Sequence, residues 1–190
     1  MIIKTHEIPL CIDNIKLRPM CDADFDILLK WNSDAEVLYY AGSEDVESYS
    51  LEEIEGIYGY VSKTAYCFII EYDNMPIGEC WIQKMNINSI IEKYPNLDLR
   101  RIDIVIGEKE YWGKGIGTKA VKLLTEFGFE KDKADMIFYI PDDFNVRSWR
   151  VAERLGYKLL DQVAIESSKA KLELHYGITK EDYFLLASKR

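Results

Sequence analysis

Apolar positions recur along this chain with two different periods, and the switches between them mark out the elements. Residues 15–18 alternate, Ile15 and Leu17 against Lys16 and Arg18, and stop at Pro19, which predicts a first strand. An acidic start at residues 21–24 then leads into Phe25, Leu28 and Leu29, the inward face of a helix. Residues 31–34 interrupt it, and residues 36–40 continue to Gly42. Ser50 and Glu53 have the spacing of a capping box, which predicts a helix to about Tyr60. Two apolar runs, 66–71 and 75–82, flank Asp73-Asn74 and predict a hairpin. Residues 86–99 read as a loop or irregular insert, and residues 103–106 as a strand. A helix follows to about Glu130, then a buried strand over 136–140 that ends at Pro141. Asn145 is placed to cap a helix over 146–155, with Gly156 as its stop. Residues 157–164, 171–176 and 181–188 read as three further strands. The order predicts an α/β (α+β) architecture: one sheet of mixed strand direction with helices on both faces. No linker or repeat divides the chain, so residues 1–190 are expected to form one domain.

The strand over 103–106 runs through a turn at Gly107-Glu108 into Trp112-Gly113-Lys114-Gly115-Ile116-Gly117-Thr118, after which the chain turns helical. Strand, glycine loop and helix N-terminus together make an anion site. Glycine lets the backbone approach closely, and the first helical N–H groups lack partners and carry the positive end of the dipole. The phosphate loop GxxxxGK(S/T) is absent, and Gly113, Gly115 and Gly117 give GxGxG where a dinucleotide fingerprint needs GxGxxG. The stretch resembles instead the pyrophosphate loop of acetyl-CoA-dependent N-acetyltransferases, (Q/R)xxGx(G/A), with Trp112 at the Gln/Arg position.

Composition narrows the classes. The 190 residues are 48% hydrophobic, enough for a packed core, and no apolar run reaches the length of a bilayer span. A net charge of −9 argues against a nucleic-acid partner and permits a cationic substrate. Cys11, Cys21, Cys67 and Cys80 lack metal-ligand spacing, and the two histidines, His6 and His175, are isolated; no metal is expected. Scattered cysteines and the lack of a signal-like N-terminus lead to the expectation of a cytoplasmic protein without membrane contact.

The segment from Asn145 to Tyr157 resembles the second motif of the GCN5-related N-acetyltransferase (GNAT) family, NxRAxRxYEKxGF, through Asn145, Arg147, Ser148, Arg150, Glu153, Gly156 and Tyr157. It lies one strand after the glycine loop, as in that family. Leu17-Arg18-Pro19, Lys30-Trp31, the stretch from Ile69 to Gly78, the stretch from Asp103 to Glu108 with Tyr111-Trp112, and Glu173-Leu174-His175 resemble the aminoglycoside 6′-N-acetyltransferase branch. The resemblance implies a mixed, mostly antiparallel sheet and direct acetyl transfer from acetyl-CoA to a primary amine. It implies that the pyrophosphate sits on backbone from Lys114 to Thr118 beside Trp112 and Gly113. It also implies that the pantetheine arm pairs along Ile104, Val105 and Ile106, and that Asn145 and Ser148 hold it. Asp103 matches the branch's general base; on position alone it also reads as a strand-end acid paired with Arg100 or Arg101.

For the acceptor the resemblance implies a small cationic amine, with the 6′-amine of an aminoglycoside leading. Glu44, Glu79, Asp142 and Asp182, with Asp103, are the candidate acidic wall, and Trp31 and Tyr40 the candidate stacking surfaces. Two positions depart from the family pattern. Ala152 stands where a tyrosine acid is usual, leaving Tyr139, Tyr157 or water for that role or a thiolate that departs unprotonated into cationic surroundings, and Ile140 stands where an Asp usually precedes the Pro. A protein N-terminus, another metabolite amine, or a weakly catalytic acetyl-CoA-binding module are the alternatives, and the chain reads as a monomer or homodimer.

Overall fold

The computed structural model describes residues 1–42 and 46–188. Eight strands form one sheet: β1 (Leu10–Ile12), β2 (Ile15–Pro19), β3 (Ala65–Tyr72), β4 (Met75–Lys84), β5 (Leu99–Ile106), β6 (Met136–Tyr139), β7 (Lys158–Ala164) and β8 (Leu172–Thr179). Their spatial order is β1-β2-β3-β4-β5-β6-β8-β7, and every pair is antiparallel except β5 with β6. Seven α-helices complete the described chain: α1 (Phe25–Trp31), α2 (Ala35–Ala41), α3 (Leu51–Val61), α4 (Asn88–Lys93), α5 (Ile116–Glu130), α6 (Val146–Leu155) and α7 (Lys180–Ala187). The mixed, mostly antiparallel sheet expected from the sequence is the one observed.

Side-chain alternation divides the core between the two faces. Phe68 and Ile70 of β3, Cys80 and Ile82 of β4, and Ile102 of β5 meet Ile116, Ala120, Val121, Leu124 and Phe127 of α5. Cys67 and Ile69, one residue out of phase, meet Leu28 and Trp31 of α1 and Ile54 and Tyr58 of α3. A strand covered on both faces has no polar side, so β3 reads as an unbroken apolar run.

The Ser50 capping box is present, with the Ser50 Oγ accepting from the Glu53 N–H and the Glu53 carboxylate accepting from the Ser50 N–H. Three expectations need correction. Residues 180–187 are helical rather than a strand, because the Thr179 hydroxyl caps the Asp182 N–H and Glu181 and Asp182 occupy the first turn. The insert over 86–99 contains the short helix α4. The three-residue strand β1, too short to show a period, pairs with β2 around Asp13-Asn14.

The site is positioned by one break in the sheet. β4 and β5 pair as far as Gly78↔Ile106, whereas the β5–β6 register runs only from Leu99↔Met136 to Ile102↔Tyr139. From Asp103 onward β5 has a neighbour on the β4 side alone, and the two halves of the sheet part there like a fork.

Candidate functional site

Asp103 is the first residue of β5 beyond the fork. Trp81 of β4 stands directly opposite it in the ladder. Arg101, two residues away on the same face, donates from Nε and Nη2 to Asp103 Oδ1 at 3.1 and 2.6 Å. The Gln83 amide approaches Oδ2 at 3.5 Å. The carboxylate is therefore held on one side by a charge-assisted pair and remains 22% exposed on the other.

Beyond Asp103 the fork opens into a cleft of about 260 Å³ between β5, the loop into α5, and α6, with α2 at its mouth. Ile104, Val105 and Ile106 line one side, Tyr139, Asn145 and Ser148 the other, and Trp112, Gly113, Gly115, Ile116, Gly117 and Thr118 close the end. Gly113 and Gly115 have φ of 74° and 78°, a region that side-chain-bearing residues reach only with strain. A Cβ at either would meet nothing within 4 Å, so the loop leaves room for a group to approach its backbone. Gly115 caps α5, and no side chain bonds to that helix start. The Trp112 indole donates to the Ile106 carbonyl at 2.7 Å and ties the loop to the end of β5.

The opposite wall is pre-arranged by α6. Asn145 Oδ1 accepts from the Ser148 N–H at 3.2 Å, and its amide donates to the Tyr40 carbonyl at 3.0 Å, joining α6 to α2. The Ser148 and Tyr139 hydroxyls share a hydrogen bond of 2.7 Å. The Arg147 guanidinium lies 4.3 Å from the Tyr40 ring centre and 4.4 Å from that of Trp112, a cation clasped between aromatics across the mouth. Arg147, Arg150 and Arg154 all line the cleft, and among the described residues no acid does. Sequence reasoning did not single these arginines out as site residues, although their i, i+3, i+7 spacing places them on one helix face.

The structure brings the other predicted site residues together only in part. Lys114 is exposed at the loop tip, its ammonium 5.1 Å from the Tyr111 ring, and Tyr40 is at the cleft mouth. Trp31 is not a stacking surface: it is fully buried with α1, donates to Glu108 Oε1 at 2.9 Å, and has Gly107 against its ring. Asp182 is in the first turn of α7, just after Thr179, which pairs with Met136 at the end of β6 away from the fork, and it pairs with Lys158 at 2.7 Å. Asp142 is half-buried and bridges to Glu173 beside the cleft without lining it; burial and the Glu173 charge push its carboxyl up. Glu79 is buried, accepts the Tyr58 hydroxyl at Oε1 and leaves Oε2 without a partner; burial, with the Asp103 charge adding to it, pushes it up to about 8. It is thus largely neutral at pH 7, where the sequence suggested an anionic wall. Glu44 lies outside the described residues.

A family model for the acetyltransferase (GNAT) domain matches residues 14–158. The chain belongs to the GNAT acetyltransferase family. An aminoglycoside N(6′)-acetyltransferase type 1 of Klebsiella pneumoniae is 23% identical over 151 residues, covering 77% of this chain and 75% of that protein. A spermidine N(1)-acetyltransferase of Escherichia coli K12 is 24% identical over 148 residues, covering 77% and 74%. The crystal structure of the aminoglycoside acetyltransferase AAC(6′)-Ib in complex with coenzyme A superposes with a TM-score of 0.76 at 20% identity, over 91% of this chain and 99% of that one.

Acetyl-CoA is the cosubstrate of this GNAT acetyltransferase, and the residues present fit it: an open glycine cradle at a helix start, an unpaired strand edge and three cations with no acid on the lining among the described residues. Ala152 is fully buried in this GNAT domain, and the Tyr157 hydroxyl is held in the core by Thr125 at 2.7 Å. Tyr139 lines the cleft with Tyr40 and Tyr111, and burial pushes its phenol up to about 12. Among the described residues no group of three or more His, Cys, Asp or Glu is placed to hold a metal, and no helix is long and apolar enough to cross a membrane.

Proposed function

We propose that this acetyltransferase moves the acetyl group of acetyl-CoA directly onto a primary amine of a small polycation, with the 6′-amine of an aminoglycoside as the first candidate. The observation that carries the reading is the place of Asp103, the first β5 residue beyond the last β5–β6 pair, at the point where the cleft begins. Bound acetyl-CoA supplies an activated acyl group with a thiolate leaving group.

The chain's own residues supply the rest. The free edge of β5 over residues 104–106 offers backbone groups to an amide-bearing arm, as an added strand would use them. The same N–H groups polarise a carbonyl aligned with that edge. Asp103 takes the proton of the incoming ammonium, and Arg101 keeps the carboxylate in one orientation while it does so. Tyr139, protonated at neutral pH and hydrogen-bonded to Ser148, is the hydroxyl on the cleft wall able to deliver a proton to the departing sulfur.

The acceptor class is supported by the relatives, whose names specify aminoglycosides and spermidine, both carrying several amines. The chain's net charge of −9 favours such a cation. Ile140, where the aminoglycoside branch tends to have an acid, leaves a polyamine as the second candidate. Thiol release from acetyl-CoA, followed with aminoglycosides and polyamines in parallel, tests the reading. Turnover with 6′-amino but not 6′-hydroxy aminoglycosides is the expected outcome; turnover confined to polyamines selects the second acceptor.

A further inference from the structure

Helix α2 is closed at one end by its own sequence and at the other by side chains from the far half of the chain. At its start Asp34 Oδ1 accepts from the Glu36 and Val37 N–H groups at 2.9 and 3.2 Å, a local cap. The last turn has no such device. Gly42 at the C-cap is extended rather than left-handed, and no basic residue lies in that turn. The carbonyls of the final turn, residues 38–41, have no helical partners. Lys169, 130 residues on in the β7–β8 connection, donates from Nζ to the Tyr39 carbonyl at 3.1 Å and approaches that of Leu38 at 3.5 Å. Asn145 takes the Tyr40 carbonyl at 3.0 Å. The Lys169 ammonium also lies 5.3 Å from the Tyr39 ring centre. One cation thus meets two carbonyls, an aromatic ring and the negative end of the helix dipole.

Lys169 is itself held in place. Its N–H and that of Ala170 both reach the Ser167 hydroxyl at 3.3 Å, and Ala170 is buried. The Lys171 N–H donates to Asp143 Oδ1 at 3.1 Å, which pins the β7–β8 connection to the segment leading into α6. Lys169 reaches α2 from that fixed base.

What α2 carries gives this contact a consequence for function. Val37, Tyr40 and Ala41 form the mouth of the cleft, the Tyr40 ring meets Arg147, and the Tyr40 carbonyl holds the Asn145 amide. A helix of seven residues is too short to keep its place unaided. We propose that Lys169 is a positioning residue of the transfer site: it fixes α2 over the cleft mouth and so sets how tightly the cleft keeps acetyl-CoA, without touching the reacting groups. This rests on the cleft being the acetyl-CoA site.

Amide exchange across residues 35–41, calorimetric titration with CoA and steady-state kinetics test it in two variants. Lys169→Met keeps the stem and removes the charge and the donors; Lys169→Arg keeps both. In the Met variant exchange across α2 is expected to quicken. The Kd for CoA and the KM for acetyl-CoA are expected to rise together, about threefold to tenfold, the range for losing one such hydrogen bond, while kcat does not fall. The Arg variant is expected to restore most of the affinity. Partial unfolding alone would lower kcat and leave KM unchanged, the opposite split, and would overturn the proposal. An unchanged Kd in the Met variant overturns it whether or not α2 loosens, and so does a raised Kd that the Arg variant fails to restore. Wild type failing to bind CoA overturns the reading of the cleft on which the proposal rests.

Discussion

Arg101 directs two donors onto a single oxygen of Asp103, at 3.1 and 2.6 Å, and leaves the other oxygen to Gln83 and the cleft side. The pairing fixes the carboxylate at the fork of the sheet without closing it off. The strand-end ion pair and the general base, which the sequence alone presents as competing readings, are compatible: on the proposed mechanism the pair orients the base.

Replacing Asp103 with Asn removes the proton acceptor but preserves size and most hydrogen bonding. The expected loss in kcat is about 10²–10⁴-fold, with CoA affinity retained because Asp103 is not among the residues lining the cleft. Arg101→Met leaves the acceptor in place but unheld, and a smaller loss, about tenfold to a hundredfold, is expected in kcat/KM. Steady-state kinetics alongside CoA titration separates the two.

The buried acid Glu79 makes stability pH-dependent with a definite sign. Its folded-state value of about 8 lies above the ordinary carboxylate value near 4.5, so the folded protein holds a proton that the unfolded chain releases. Stability from this group is fully present below pH 4.5 and is lost as pH rises through 8. The change is on the order of several kcal/mol at most. Denaturant unfolding at pH 5 to 9 is expected to show the decline, and Glu79→Gln to flatten it.

Trp31 acts in packing. Its indole is buried, bonds to Glu108 and covers Gly107, where a Cβ would come within 2.1 Å of the ring. Trp31→Ala is expected to cost about 3–5 kcal/mol in unfolding free energy. Gly107→Ala is expected to cost about 1–3 kcal/mol by overpacking against the same ring. Urea midpoints measure both.

Tyr139 is assigned the acid role because Ala152 has no proton to give and Tyr157 is bound to Thr125 within the core. Tyr139→Phe is expected to lower kcat by about tenfold to a hundredfold. With Tyr139 held up to about 12, no alkaline limb from this group should appear below pH 10 in the wild-type rate profile.

Most of the sheet, and the residues that line the cleft, were legible in the chain because local signals carried them. The hairpin at Asp73-Asn74, the Ser50 capping box, the glycine loop and the Asn145 cap all act within a few residues. The misses arose where distant contacts decide. Residues 181–188 contain apolar positions suited to a strand, yet the Thr179 cap and the first-turn acids start a helix there. Trp31 looks like a stacking surface until α1 is laid against the sheet. Asp182 matches a family position but emerges at the far end of the sheet, a consequence of β8 running antiparallel to β6. The α6 arginines have a readable period, but that they face the cleft depends on the fork in the sheet.

The central claim is amine-dependent acetyl transfer from acetyl-CoA with Asp103 as base. Thiol release measured for wild type and Asp103→Asn, with kanamycin-type aminoglycosides, spermidine and no amine, tests it most directly. The account predicts release that requires an amine and falls at least a hundredfold in the variant. CoA binding with no amine-dependent release, or equal turnover by the variant, would contradict it.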